Sequence, residues 1–395
     1  MDPVRNPYAP GAGQRPPELA GRDTELEQFA VTLERAAAAR PERSLVLTGL
    51  RGVGKTVLLN ALRGLAVRRA WGAGKLEGRP DQSIRIPLAQ AVHTAVRELG
   101  HRHRDPDRAG AVAGVVKAFA LRSSPDDRAR SRWRPPLDVP AARGRADSGD
   151  LEVDLVELLG DVGELAADLS VGIAVFADEM QDIRPAELAA LCAAFHEVSQ
   201  RRMPVLLVGA GLPHLPAALA TAKSYAERLF RYRVVDRLPR AEADRALTIP
   251  AATEGAEFAD DALDELYRLT DGYPYFVQAF GKAAWDLAPA TPIRLADVAE
   301  SAPVAETDLA VGFFGSRFER ATPAERVYLL AMAQLAVDDR RVATADIAAA
   351  LERRPQSLSP ARDALIRKGL VYAEERGFVR FTVPHFARFL RTRAD

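Results

Sequence analysis

Up to about residue 235, continuous apolar runs alternate with stretches whose apolar side chains return every three or four positions. Ser44–Thr48, Val171–Ala177 and Val205–Gly209 are apolar runs of strand length, and Arg231–Val235 reads as a last strand. Ser83–Leu88 is a further strand candidate, weakened by Pro87. Helical spacing predicts helices from Asp23 to before Pro41 (Leu26, Phe29, Ala30 and Leu33 on one face), and from about Lys55 to Arg69, Leu151 to Asp168 and Pro185 to Arg201. Buried strands alternating with amphipathic helices predict an α/β fold, a parallel sheet with helices on both faces.

From Arg240 to about Gly315 the pattern is mostly helical. Thr322-Pro323-Ala324-Glu325 has the cap, the first-turn proline and the glutamate of a helix start, and that helix is expected to bury Val327, Leu330 and Leu335. Thr344 caps a second helix through Leu351. Ser357 or Ser359 starts a third, through Leu365, Ile366 and Lys368, which Gly369 stops. Leu370–Tyr372 and Phe378–Phe381 are strands around a turn at Glu374–Gly377. Three helices and a hairpin are the order of a winged helix-turn-helix. Two stretches break the pattern. Residues 1–20, rich in Pro, Gly and Ala, read as an extended arm with no core of its own. Residues 100–150, with 11 basic and 7 acidic residues and one apolar island at Val115–Ala120, read as a long, partly disordered insertion.

A length of 395 residues suits two or three domains. Lys+Arg and Asp+Glu are 54 each, so a wholly basic nucleic-acid coat is excluded while local basic faces remain. Only six of the basic residues are lysine, an arginine bias that points to a GC-rich genome more than to a function. The single cysteine, Cys192, excludes a disulfide scaffold and a Cys-based zinc finger and reads as a core residue. No apolar run nears the ~20 residues of a membrane span, and Met1–Arg5 has no signal-peptide core, so a cytoplasmic location is expected.

The strongest local signal is Gly49-Leu50-Arg51-Gly52-Val53-Gly54-Lys55-Thr56, which fits G-x-x-x-x-G-K-[ST] at every fixed position, after an apolar strand and before a helix. Small residues let successive amides converge on phosphate oxygens, and the following helix, whose first residues Lys55, Thr56 and Val57 face the phosphates, aims its positive end at them. Lys55 would reach the β- and γ-phosphates of ATP, and Thr56 would give a hydroxyl to Mg²⁺. The strand ending at Ala177 runs into Asp178-Glu179. Asp178 is assigned to the Mg²⁺ ion and Glu179 to the attacking water. Gln181 is either polar support for that pair or a solvated helix start.

On these motifs the chain resembles the AAA+-like branch of P-loop ATPases, and more closely the STAND and archaeal-type ATPases related to origin-recognition proteins. Glu18-Leu19-Ala20-Gly21-Arg22-Asp23-Thr24-Glu25 resembles the GR-x-x-E box, which with the arm before it holds adenine in that group. This carries Gly21 and Arg22 over as nucleotide contacts. Gly272-Tyr273-Pro274 resembles the G-x-P turn of STAND lids, whose proline, here Pro274, approaches the base. The chain is also similar to an actinobacterial group of ATP-binding proteins. The resemblance spans nearly all residues outside 100–150. It departs at Val208–Pro213, where a polar sensor residue is usual, and at Tyr273-Pro274, where origin-recognition lids carry an arginine, so slow turnover is expected. It also implies an arginine reaching a neighbouring subunit's nucleotide, with Arg228 first choice and Arg231 second; a surface salt bridge is the plain alternative.

These expectations assemble into an arm (1–20), a P-loop domain (21–239) holding the insertion, a helical lid (240–315) and a winged helix (316–395). Residues 317–395 carry 15 basic and 10 acidic residues. Arg362, Arg367 and Lys368 fall near the third helix and Arg376 and Arg380 near the wing, a balance that suits double-stranded DNA, while Glu374 and Glu375 oppose close phosphate approach. A protein partner is the other reading of this module. His101 and His103 lack a third ligand at useful spacing and read as solvated, and Trp285, Tyr275 and Phe276 read as packing. The expected function is an ATP-binding, slowly hydrolysing switch that assembles on ATP if Arg228 acts across subunits. A non-hydrolysing nucleotide-gated DNA-binding regulator and a signalling or defence scaffold are the alternatives.

Overall fold

The computed structural model describes residues 1–11, 13–80, 82–123, 139–336, 340–373, 375–383 and 385–393. Glu374 and residues 124–138 of the expected insertion lie outside them. The chain divides into two compact units, residues 24–49 with 55–234, and residues 1–23 with 50–54 and 235–395.

The first unit is a five-stranded parallel sheet, β1 (Ser44–Thr48), β2 (Gly72–Glu77), β3 (Ile173–Asp178), β4 (Val205–Gly211) and β5 (Phe230–Val234), in the order β2-β3-β4-β1-β5. Every residue of β1, β3 and β4 is buried, as continuous apolar runs require of strands covered on both faces. Helices Asp23–Ala37, Lys55–Arg68, Leu151–Asp168 and Pro185–Gln200 lie where helical spacing placed them. Thr48 pairs with Gly211 and Ala177 with Gly209, so β1, β4 and β3 end at one edge.

Two parts differ from expectation. Ser83–Leu88 is not a strand. Helix Arg85–His103 starts there and buries Leu88, Val92, Ala95 and Leu99 at helical spacing, with Pro87 in the first turn, where no amide donor is needed. The strand is β2 instead, unrecognised because glycines weaken its pattern. A Cβ at Gly74 would stand 2.0 Å from the Ala91 carbonyl oxygen, and one at Gly72 would stand 2.8 Å from that of Ala95. Glycine is what lets this helix lie directly on the strand. Secondly, residues 106–121, expected to be irregular, form helix Pro106–Leu121, opened by Asp105, whose carboxylate accepts the Arg108 amide. It buries Val112, Val115, Val116 and Phe119 against helices Arg85–His103 and Leu151–Asp168.

A buried ion pair joins these helices. Arg85 donates to Asp154 at 2.7 Å, and the Asp154 carboxylate also accepts from the Ser148 amide and hydroxyl and the Gly149 amide. Burial alone would raise the Asp154 pKa, but these hydrogen bonds and the Arg85 charge outweigh it and hold the carboxyl below its ordinary value.

The second unit holds helices Arg240–Thr253, Asp260–Thr270, Pro274–Leu287 and Leu295–Asp308. The arm is not without a core. Tyr8 is buried, its hydroxyl donates to the Leu247 carbonyl, and its ring meets Phe258 and Trp285 edge-on. Trp285 in turn donates to the Asp2 carbonyl at 2.9 Å. The arm therefore shares the core of the helices it lies on.

Toward the C-terminus come helix Pro323–Leu335, β6 (Val342–Ala343), helices Thr344–Ala350 and Pro355–Arg367, β7 (Val371–Tyr372), β8 (Phe378–Phe381) and helix Phe386–Arg391, with strand order β6-β8-β7. Thr322 and Glu325 form the expected capping box. The buried face of that helix is Tyr328, Leu329, Met332 and Ala333. Val327 and Leu335 are exposed and Leu330 is only half-buried, because the stripe runs one position off the one read from the sequence. Thr344 is not a cap; its amide and hydroxyl both donate to the Gly377 carbonyl. The third helix begins at Pro355, ahead of both expected serines, because proline suits a first turn. Among the described residues no helix is long and apolar enough to cross a membrane.

Candidate functional site

The loop Gly49–Thr56 leaves β1 and enters helix Lys55–Arg68 without a break. Gly52 and Gly54 have φ of +87° and +91°, a region that costs glycine little and other residues much. Such turns let consecutive amides point into one concavity, a shape that suits an anion. The helix has no acidic residue in its first turn, so its positive end is not neutralised. Lys55 is buried, and its ammonium donates to the Gly49 carbonyl at 2.9 Å, back across the loop. Thr56 and Val57 follow, half-buried. The Gly49 amide donates to the Gly211 carbonyl at 3.2 Å, tying the loop's start to the end of β4.

The loop tip is held by other groups. The Arg51 amide donates to the Thr382 carbonyl at 3.0 Å and its Nε to the Gly369 carbonyl at 3.2 Å. A Cβ at Gly52 would lie 3.7–3.9 Å from Phe313, Tyr275 and Tyr273. Leu50 is half-buried and Val53 fully buried. The Val53 carbonyl accepts from Arg22, which also donates to the Asp236 carbonyl at 2.6 Å. Gly21 turns at φ +68° against Leu238 and Glu242. Pro274 is the first residue of helix Pro274–Leu287, directly after the Gly272 turn. At Gly272, φ is +68° and a Cβ would stand 2.1 Å from the Leu238 carbonyl oxygen, so only glycine fits.

At the end of β3, Asp178 is buried, and one of its oxygens accepts the Glu179 amide at 3.0 Å. Its other oxygen lies 3.8 Å from the Lys75 ammonium, which donates to Asn60 at 2.8 Å. Neither Lys75 nor Asn60 was singled out from the sequence, because the only signal would have been recognition of β2. Glu179 has φ +47°, an uncommon left-handed conformation for a side-chain-bearing residue. The Gln181 amide nitrogen donates to the Glu179 carboxylate, and its amide oxygen accepts the Leu212 amide at 3.1 Å. Gln181 is thus a bridge and not a solvated helix start.

The two arginines differ. Arg228 is exposed on the short helix Ala226–Leu229, whereas Arg231 donates to the Thr32 hydroxyl at 3.2 Å. In the C-terminal region, Lys368 donates to Glu325 and to the Arg320 carbonyl, Arg362 pairs with Asp363, and Arg341 pairs with Glu375. Arg367 and Arg376 are exposed and Arg380 is half-buried. Cys192 is buried, and burial pushes its thiol up to about 12. Tyr275 stacks on Phe313 with centroids 4.6 Å apart, and Phe276 packs edge-on against the same ring. His101 and His103 sit in the last turn of helix Arg85–His103.

The AAA ATPase domain family matches residues 18–208, and a family described as a domain of unknown function (DUF8462) matches residues 311–390. No curated protein matches the chain. Among solved structures, a Walker-type ATPase of Pyrococcus abyssi is 15% identical, with 95% of this chain and 97% of that one covered and a TM-score of 0.59. The RuvB Holliday junction branch migration motor of Thermotoga maritima is 16% identical, with 93% and 96% covered, at 0.45. The Orc1 protein of Aeropyrum pernix, in complex with DNA, is 16% identical, with 95% and 94% covered, also at 0.45. The first of these shows a shared fold, and the other two are too distant to argue from. Residues 18–208 therefore carry an AAA ATPase domain of the P-loop kind.

Proposed function

We propose that this AAA+-like chain is a slowly hydrolysing ATP switch whose C-terminal module reports the state of the phosphate loop to DNA. Lys55 and the loop amides, other than those of Gly49 and Arg51, which donate to Gly211 and Thr382, bind the β- and γ-phosphates; Gly21, Arg22 and Pro274 flank the base. Thr56 and Asp178 would hold Mg²⁺: one hydroxyl and one buried carboxylate are the hard oxygen donors this ion prefers. When bound, the ion would neutralise charge on the β- and γ-oxygens. Glu179 takes the proton of the attacking water as the new bond to the γ-phosphorus forms and the bond to the bridging oxygen breaks, releasing ADP. A winged-helix reading of residues 316–395 places Arg367, Arg376 and Arg380 toward DNA.

The observation that carries the switch reading is the clasp of Arg51 by Thr382 and Gly369. If nucleotide moves the loop tip, these two bonds must stretch or break, which would supply the differential contact a ligand-driven switch requires.

The test is ATP turnover by the purified chain with and without duplex DNA, beside Lys55→Ala and Glu179→Gln. Turnover that rises with DNA and is lost in both variants supports the proposal. Turnover indifferent to DNA shifts the module to a protein partner. That second reading has its own support, since Lys368 and Arg362 are already engaged within the chain. ATP binding without turnover leaves a nucleotide-gated regulator and removes Glu179 as a base. Assembly on ATP through Arg228 is tested by Arg228→Ala, which should lose turnover and ATP-dependent assembly together.

A further inference from the structure

The end of β4 carries no polar side chain where AAA+-like ATPases usually place one: Gly209, Ala210, Gly211 and Leu212 stand there. A polar group nevertheless reaches that place from the 3-10 turn Met180–Asp182 that follows the neighbouring strand β3. The Gln181 amide oxygen accepts the Leu212 amide at 3.1 Å and would lie 2.9 Å from a Cβ at Gly211. Any side chain on Gly211 would displace it. Through its nitrogen, the same side chain donates to the Glu179 carboxylate. On the other side of Gly211, the carbonyl accepts the Gly49 amide, and the Gly49 carbonyl accepts the Lys55 ammonium. A path of hydrogen bonds linked by short pieces of backbone therefore runs from Lys55 through Gly49, Gly211 and Leu212 to Gln181 and Glu179.

We propose that Gln181 is the positioning residue for Glu179, orienting its carboxylate from the end of β4 in place of the missing sensor side chain. The inference rests on the hydrolytic reading given above. The chemistry fits the residue type. An amide is donor and acceptor at once, so one side chain can satisfy a backbone N–H and hold a carboxylate. A glutamate at this position could accept from Leu212 but could not donate to an ionised Glu179. The left-handed backbone of Glu179 makes such an anchor more necessary, because an uncommon conformation persists only when its surroundings hold it.

The test compares Gln181→Ala and Gln181→Glu with the unsubstituted chain, measuring kcat and KM for ATP, and ATP affinity with a fluorescent analogue. Both variants should lower kcat by about tenfold or more, part of what a positioned base supplies, while KM and analogue affinity stay within about twofold. Wild-type kcat in Gln181→Glu would mean that the residue only supports Leu212, and overturns the proposal. So does unchanged or raised kcat in Gln181→Ala, since the contact would then be idle or a restraint. Thermal unfolding of both variants guards the interpretation: if Gln181→Ala is unfolded, the isosteric Gln181→Glu decides. No turnover by the unsubstituted chain overturns the hydrolytic reading and this proposal together. Normal wild-type turnover with unaffected variants overturns only the role of Gln181.

Discussion

At the scale of the residue, the phosphate loop was legible because its chemistry needs fixed types at fixed spacing: Gly49, Gly54, Lys55 and Thr56 are named by the motif itself. The Asp154–Arg85 pair was not, since its partners are 69 positions apart. Removing the Asp154 charge leaves Arg85 buried without its partner, so Asp154→Asn should cost about 3–5 kcal/mol in urea unfolding at pH 7. Because the folded-state pKa of Asp154 is depressed, the unfolded chain binds the proton more readily. The stabilisation is complete above the unfolded pKa of about 3.9 and is lost as pH falls through the lower folded value. Stability measured against pH should therefore decline less steeply below pH 4 in Asp154→Asn than in the unsubstituted chain. Cys192, with its thiol pushed up to about 12 by burial, should resist alkylation at pH 8 until the chain unfolds, as mass spectrometry after timed labelling would record.

Elements were legible in proportion to how purely one period spoke. The buried runs of β1, β3 and β4 have no competing pattern. β2 was hidden because contact with helix Arg85–His103 demands Gly72 and Gly74, and glycine carries no hydropathy signal. Gly74→Ala would drive a Cβ to 2.0 Å from the Ala91 carbonyl oxygen and should destabilise the sheet by more than about 3 kcal/mol, seen as a lowered Tm. Conversely, the Thr322–Glu325 box was readable as four consecutive letters. Thr322→Ala should cost about 1 kcal/mol in the same measurement, the usual worth of a cap. The one-position error in the buried stripe after it has a simple origin. Val327 and Leu330 are as apolar as Tyr328 and Leu329, and only packing partners decide which pair turns inward.

For the molecule as a whole, the contact that matters most is Arg51 with Thr382 and Gly369. The motif leaves this position unspecified, so no pattern could nominate it. If the clasp transmits loop state, Arg51→Ala, which removes the side-chain bond to Gly369 and leaves the amide bond to Thr382, should keep ATP affinity within about threefold, under ~1 kcal/mol. It should also make the C-terminal module more sensitive to limited proteolysis, and that sensitivity should change less on adding ATP. Sensitivity that still follows ATP as in the unsubstituted chain would count against the switch.

The amino-acid order by itself determined the parallel α/β sheet, the phosphate loop, the acidic end of β3 and three C-terminal helices followed by a hairpin, though not β6 or helix Phe386–Arg391. Each of these is written in neighbouring residues, in a hydropathy period or a motif spacing. Only the tertiary structure decided that Gln181 bridges Glu179 to Leu212 and that Tyr8 docks the arm on its helices. It alone decided that Lys368 is engaged by Glu325 and that Arg51 is held by backbone flanking the C-terminal strands. Those contacts join residues distant in the chain through single hydrogen bonds or one buried ring, and such pairings leave no period for a sequence to display.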